Sequence, residues 1–99
     1  MKPSNKKHII KKAPPEKEFF LCDGRRLKDI KELAVCFIDL KPEVFRHHVN
    51  PENKKNDFAF WIFEVLDDHE LAQRLDEVHD QKYYTKLIKE RVKELANFR

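Results

Sequence analysis

Asn56-Asp57-Phe58-Ala59-Phe60-Trp61-Ile62-Phe63-Glu64-Val65-Leu66 is the most apolar stretch of the chain, and its spacing decides the fold class. Phe58, Trp61, Ile62, Val65 and Leu66 recur at i, i+3, i+4, i+7 and i+8, the stripe of a helix with one buried face. Asn56 or Asp57 supplies the N-cap, because a short side-chain oxygen there accepts from the unpaired N–H groups of the first turn. Phe60 and Phe63 fall off that stripe and make a second apolar ridge. Either the C-terminal helix covers it, or it is an exposed patch of the kind that marks a partner interface.

The same 3.6-residue period continues on both sides. Asp67-Asp68 caps a fourth helix with Leu71, Ala72, Leu75 and Val78 at helical spacing, and after a break at His79-Asp80 a last helix runs from Gln81 to Asn97. In that helix Tyr84, Leu87, Ile88, Val92 and Leu95 are expected to face inward, with Lys and Glu, Glu94 among them, on the solvated side. Upstream, Asn50 to Asp57 reads as a polar loop. Before it Val44, Phe45, His48 and Val49 share one side of a short helix that Pro42 opens and Asn50-Pro51 closes. The first helix carries Ile30, Leu33, Ala34 and Phe37 from Lys28 onward, extended by Leu27 and Ile38, and ends at Lys41-Pro42 because a residue before proline avoids the α region. Further upstream, Phe19-Phe20-Leu21-Cys22 meets Asp23-Gly24, a type I′ turn signal, with Arg25-Arg26-Leu27 as a return strand. A loop leading into the first helix is the competing reading. The expectation is a mostly α bundle of about five helices, with or without a short N-terminal β-hairpin.

A chain of 99 residues holds one domain. A single glycine argues against an all-β fold full of tight turns. The net charge of +3 is unevenly spread: residues 1–18 carry six lysines against Glu16 and Glu18, a net +4, which leaves −1 for everything after. Residues 1–17, lysine-rich and punctuated by Pro3, Pro14 and Pro15, are expected to be a disordered basic tail, with the helical domain spanning 18–99. No secretory signal and no run near the ~20 apolar residues of a membrane span is present, so a soluble, cytoplasmic protein is expected.

The residue types that carry chemistry do not assemble into a motif. Cys22, Cys36, His47 and His48 are ligand types, but the pattern Cys-x13-Cys-x10-His-His lacks the Cys-x2-Cys knuckle that pre-organises two thiolates. The thiols are expected to be buried packing residues and no metal is expected. A Cys22–histidine nucleophile pair is set aside because Cys22 follows Phe-Phe-Leu. Gly24 alone cannot form a phosphate-cradling loop, so no cofactor is expected, and Asp67-Asp68 is better explained as a cap than as an acid–base pair. No enzyme is expected.

Two segments flank one loop and must lie close in space: His48-Val49-Asn50 and Asn56-Asp57-Phe58. His48 is expected to reach across to the Asn56/Asp57 helix start and pin the loop, and Asn50 to cap the second helix in left-handed geometry. With Phe60 and Phe63, the residues His48, Asn50, Asn56 and Asp57 form the candidate surface for a protein partner or a second copy. The alternative is an accessory role in a nucleic-acid complex, held without sequence preference by Lys2, Lys6, Lys7, Lys11, Lys12, Arg25 and Arg26.

Residues 19–75 resemble a family of short bacterial and archaeal proteins classed as a domain of unknown function. The resemblance rests on Phe20-Leu21-Cys22-Asp23-Gly24-Arg25-x-Leu27-Lys28, Lys31-Glu32-Leu33-Ala34, Phe45, His48-Val49-Asn50, Asn56-Asp57-Phe58-Ala59-x-Trp61-Ile62 and Asp68-x-Glu70-Leu71-Ala72. It implies an accessory or interaction module rather than a catalyst. Positions 60 and 63 are more often polar in that pattern, so the two phenylalanines here point to a contact particular to this protein. The function expected is therefore a non-enzymatic interaction or assembly module.

Overall fold

Among the described residues five α-helices form in the order the apolar stripes require, and every one but the second starts on a side-chain cap. The computed structural model describes Ile9 and residues 11–97. Two hairpins precede and interrupt the helices: β1 (Phe19–Phe20) pairs antiparallel with β2 (Arg26–Leu27), and β3 (Val49–Asn50) with β4 (Lys55–Asn56). The helices are α1 (Ile30–Cys36), α2 (Pro42–His48), α3 (Asp57–Glu64), α4 (His69–Leu75) and α5 (Gln81–Ala96). Four of them have eight residues or fewer, too short to persist in water alone, so packing against one another sustains them.

The N-terminal hairpin forms, but not through a type I′ turn. Gly24 alone takes a positive φ, +101°, while Gly24 N–H donates to Leu21 O at 2.9 Å and Leu21 N–H to Arg25 O at 2.8 Å. This is a three-residue loop with the glycine at its left-handed position, the second common way to close a hairpin.

α1 is shorter than the sequence pattern implies at both ends. Asp29 caps it, its Oδ1 accepting from Glu32 N–H at 2.8 Å, while Glu32 Oε1 accepts from Lys28 N–H at 2.9 Å. That reciprocal cap starts the helix at Ile30 and leaves Leu27 in β2. Past Cys36 the chain turns, and Ile38 is 71% exposed instead of extending the stripe.

The loop expected at 50–57 is the second hairpin, with a 3-10 turn at Pro51–Asn53 between its strands. Asn50 is extended and does not cap α2. Its Oδ1 accepts from Glu52 N–H and Asn53 N–H at 3.0 and 3.3 Å, and Lys54 at φ 54° supplies the left-handed residue.

The core is aromatic. Phe58, fully buried on α3, stacks on Phe19 at 4.8 Å between ring centroids and meets Phe37 edge-on at 5.2 Å. Tyr84 of α5 stacks on Phe37 at 5.6 Å and meets Phe45 edge-on at 5.2 Å. The Tyr84 hydroxyl donates to Asn56 Oδ1 at 2.6 Å, and burial pushes its acidity far out of reach, so it stays a neutral donor.

Two expectations fail in the packing. Residues 11–17 are part of the fold: Ala13 is 3% exposed and donates to Lys28 O at 2.7 Å, Pro15–Lys17 makes a 3-10 turn, and the Trp61 indole N–H donates to Lys17 O at 2.8 Å. A buried indole needs an acceptor, and a single buried alanine among lysines leaves no period to read. The expectation for residues 1–8 and 10 falls outside the described residues. In α5, Val92 and Leu95 are only half-buried, and the last buried residue of the inward stripe is Arg91. It is 1% exposed and pairs with Asp68, 2% exposed, while Glu94 turns inward to Arg91 at 2.9 Å and Arg74 at 3.1 Å.

Candidate functional site

Of the expected partner-binding residues, four line one groove. Phe60, Phe63, Asn56 and Asp57 border a cavity of about 490 Å³ along α3, with Lys54 at one end. No helix of the described residues covers the ridge: Phe60 is 69% exposed and Phe63 42%. Phe63 is steadied on one side by the His69 ring, stacked at 4.0 Å and 14°. Asn56 is committed to the fold, its Oδ1 capping α3 through Ala59 N–H and its Nδ2 donating to Leu75 O at 3.1 Å. Asn50 sits in the hairpin turn, away from the groove's lining.

His48 lies behind Asp57, at the C-terminal end of α2. Its Nδ1 is 2.9 Å from Asp57 Oδ2, the cross-loop bond the sequence led one to expect, and its Nε2 accepts from Cys22 N–H at 3.0 Å. An amide N–H can only donate, so Nε2 carries a lone pair and the ring proton is on Nδ1. Burial pushes the His48 pKa down, against the pull of the Asp57 carboxylate. Burial pushes Asp57 the other way, but hydrogen bonds from Lys55 (2.6 Å) and His48 outweigh it and hold its pKa below the usual carboxylate value. The pair is a neutral imidazole beside an ionised carboxylate.

The bond from Cys22 also closes a distance that sequence reasoning missed. It carries the tip of the first hairpin to the end of α2, so that ligand atoms of Cys22, His47 and His48 all lie within 4.8 Å of one another. The expectation that both thiols are buried packing residues holds only for Cys36, which is 2% exposed with its thiol pKa pushed up by burial. Cys22 is exposed, as is His47, because β1 ends before it and the turn projects it outward. A contact across 25 or more residues leaves no trace in local spacing.

Four of the seven candidate basic residues fall among the described residues. Lys2, Lys6 and Lys7 are outside the described residues, while Lys11 and Lys12 are exposed. Arg25 is held by Asp23 at 3.0 Å with Asp39 at 3.7 Å, and Arg26 by Glu18 at 3.2 Å while its guanidinium lies over the Phe20 ring. Both arginines already face carboxylates, which weakens any claim on phosphate.

No helix of the described residues is long and apolar enough to cross a membrane. No curated protein and no solved structure matches the chain. A family model does match, from Lys11 just ahead of the docked Ala13 through Asn97, and the chain therefore belongs to the family described as Family of unknown function (DUF5752) over residues 11–97.

Proposed function

We propose that this protein is an assembly module whose α3 ridge packs against the same ridge of a second copy. The observation that carries this reading is the exposed apolar ridge of α3, Phe60 and Phe63 one turn apart, with Glu64 beside Phe63 and Lys54 on the rim of the groove. A two-fold axis between the phenylalanines sets the two α3 helices antiparallel. The four rings then leave water together. Such a self-complementary contact is what a closed dimer requires. The apolar centre with a charged rim matches the anatomy of stable interfaces.

Sedimentation velocity on the full chain over a concentration series tests it. A monomer–dimer equilibrium is expected, abolished by Phe60→Ser with Phe63→Ser at unchanged melting temperature. A full chain that stays monomeric at all concentrations overturns the reading, as does a Phe60/Phe63 double variant that dimerises as before.

A further inference from the structure

We propose that Cys22, His47 and His48 form a binding site for a zinc-class divalent cation, with its fourth position open to water or an exogenous ligand. The proposal is independent of the dimer and uses the opposite side of Asp57 from the groove.

Three observations support it. The donors are one thiol and two imidazoles, the set that borderline-soft cations prefer over oxygen-binding ones. They are drawn from a hairpin tip and a helix end that a hydrogen bond already holds together, with all ligand atoms within 4.8 Å. Tetrahedral bonds of about 2.0–2.3 Å put such donors roughly 3.3–3.6 Å apart, so closure needs side-chain rotation and a shift of the Cys22 amide off His48 Nε2 at the hairpin tip. Lastly, His48 has the outer partner that metal-bound histidines use. Asp57 accepts from its Nδ1–H and leaves Nε2 as the coordinating atom.

Cys22 and His47 are exposed, so an ion reaches them from solvent, and neither side chain makes a hydrogen bond among the described residues. Coordination at Nε2 replaces the Cys22 N–H on that atom and releases the amide to water at the exposed turn. The thiol binds as thiolate and gives up its proton. Three protein ligands and an open position are the arrangement of exchangeable or reactive zinc rather than of a closed structural site.

Cobalt(II) titration of the full chain under reducing, oxygen-free conditions tests this. One ion per chain is expected, with a near-ultraviolet thiolate-to-cobalt band and intense visible bands of tetrahedral coordination, all displaced by zinc. Cys36→Ser leaves the spectrum intact, Cys22→Ser removes the thiolate band, and Asp57→Asn weakens binding by roughly 10–100-fold. Circular dichroism confirms folding of each variant, and zinc should slow alkylation of Cys22 in the native protein. A weak octahedral spectrum, a thiolate band that survives Cys22→Ser, or alkylation of Cys22 at a rate zinc does not change overturns the proposal.

Discussion

Arg91 and Asp68 lie 23 residues apart and meet through two hydrogen bonds of 2.9 Å, Nε to Oδ2 and the second guanidinium nitrogen to Oδ1, with both side chains almost wholly removed from solvent. Asp68 also caps α4 by accepting from Leu71 N–H at 3.1 Å, so one carboxylate starts a helix and fastens α5 to it. Burial works against the arginine's charge, yet Asp68 and Glu94 outweigh it and push its pKa up.

Removing Arg91 strands the Asp68 carboxylate as a buried charge, while removing Asp68 takes away both the α4 cap and the acceptor of two Arg91 hydrogen bonds, leaving the guanidinium only its contacts with Glu94 and Glu70. Asp68→Ala should therefore cost about 3–5 kcal/mol of unfolding free energy, in the range for broken buried pairs. Arg91→Met, which leaves the Asp68 carboxylate buried without a cation, should cost as much. Urea unfolding monitored by circular dichroism measures both, and a loss under about 1 kcal/mol for Asp68→Ala would mean that solvent reaches the pair.

Whether residues 11–17 belong to the fold is decided by Ala13→Asp. In a solvated tail the change is silent. In the docked segment it buries a carboxylate with no partner and should cost about 2 kcal/mol or more, while Lys11→Ala at an exposed site stays within about 0.5 kcal/mol. Equal melting temperatures for the two variants would contradict the docking.

His48 gives stability a pH dependence whose sign is fixed. Its folded pKa lies below the unfolded value of about 6.5, so as pH falls the unfolded chain takes up the proton first. Its contribution is complete above about pH 7 and is lost as pH drops toward the folded pKa. The groups around it are Asp57, Lys55, His47 and the Cys22 amide. Asp57, also depressed, loses its share only at lower pH, below the ordinary carboxylate range. Unfolding free energies in steps from pH 7.5 to 5.5 should decline for the wild type and decline less for His48→Gln. Parallel curves would exclude His48 as the origin.

Gly24→Ala isolates backbone strain, since a Cβ there would meet nothing within 4 Å while φ is +101°. The expected cost is about 1–2 kcal/mol, with no change in metal affinity unless the hairpin tip shifts. An Asn at the same place should cost less, and equal losses for Ala and Asn would implicate something other than φ.

What was legible in the sequence were the features that repeat or punctuate. Pro42 marks the start of α2, Asp68 the cap of α4, and the Phe58–Trp61–Ile62 spacing the buried face of α3, because each rests on local backbone chemistry. The cross-loop bond from His48 to Asp57 was readable for the same reason, as both ends flank one short connection. The hairpin at Val49–Asn56 was not, since two-residue strands have no period. Arg91 carried a signal that its charge obscured: it falls three residues after Ile88 and four after Leu87, on the inward stripe. The cluster at Cys22 was beyond reach because tertiary packing alone sets the hairpin tip against α2.

The indole of Trp61 and the carbonyl of Lys17 give the molecule an optical gauge of its own. Trp61 is the sole tryptophan, and its N–H is bonded to the segment that precedes the first strand. Its emission thus reports the seating of that segment, whereas far-ultraviolet ellipticity reports the helices. Following both through one denaturation distinguishes a latch that opens early from an integral part of the cooperative unit, with no label attached.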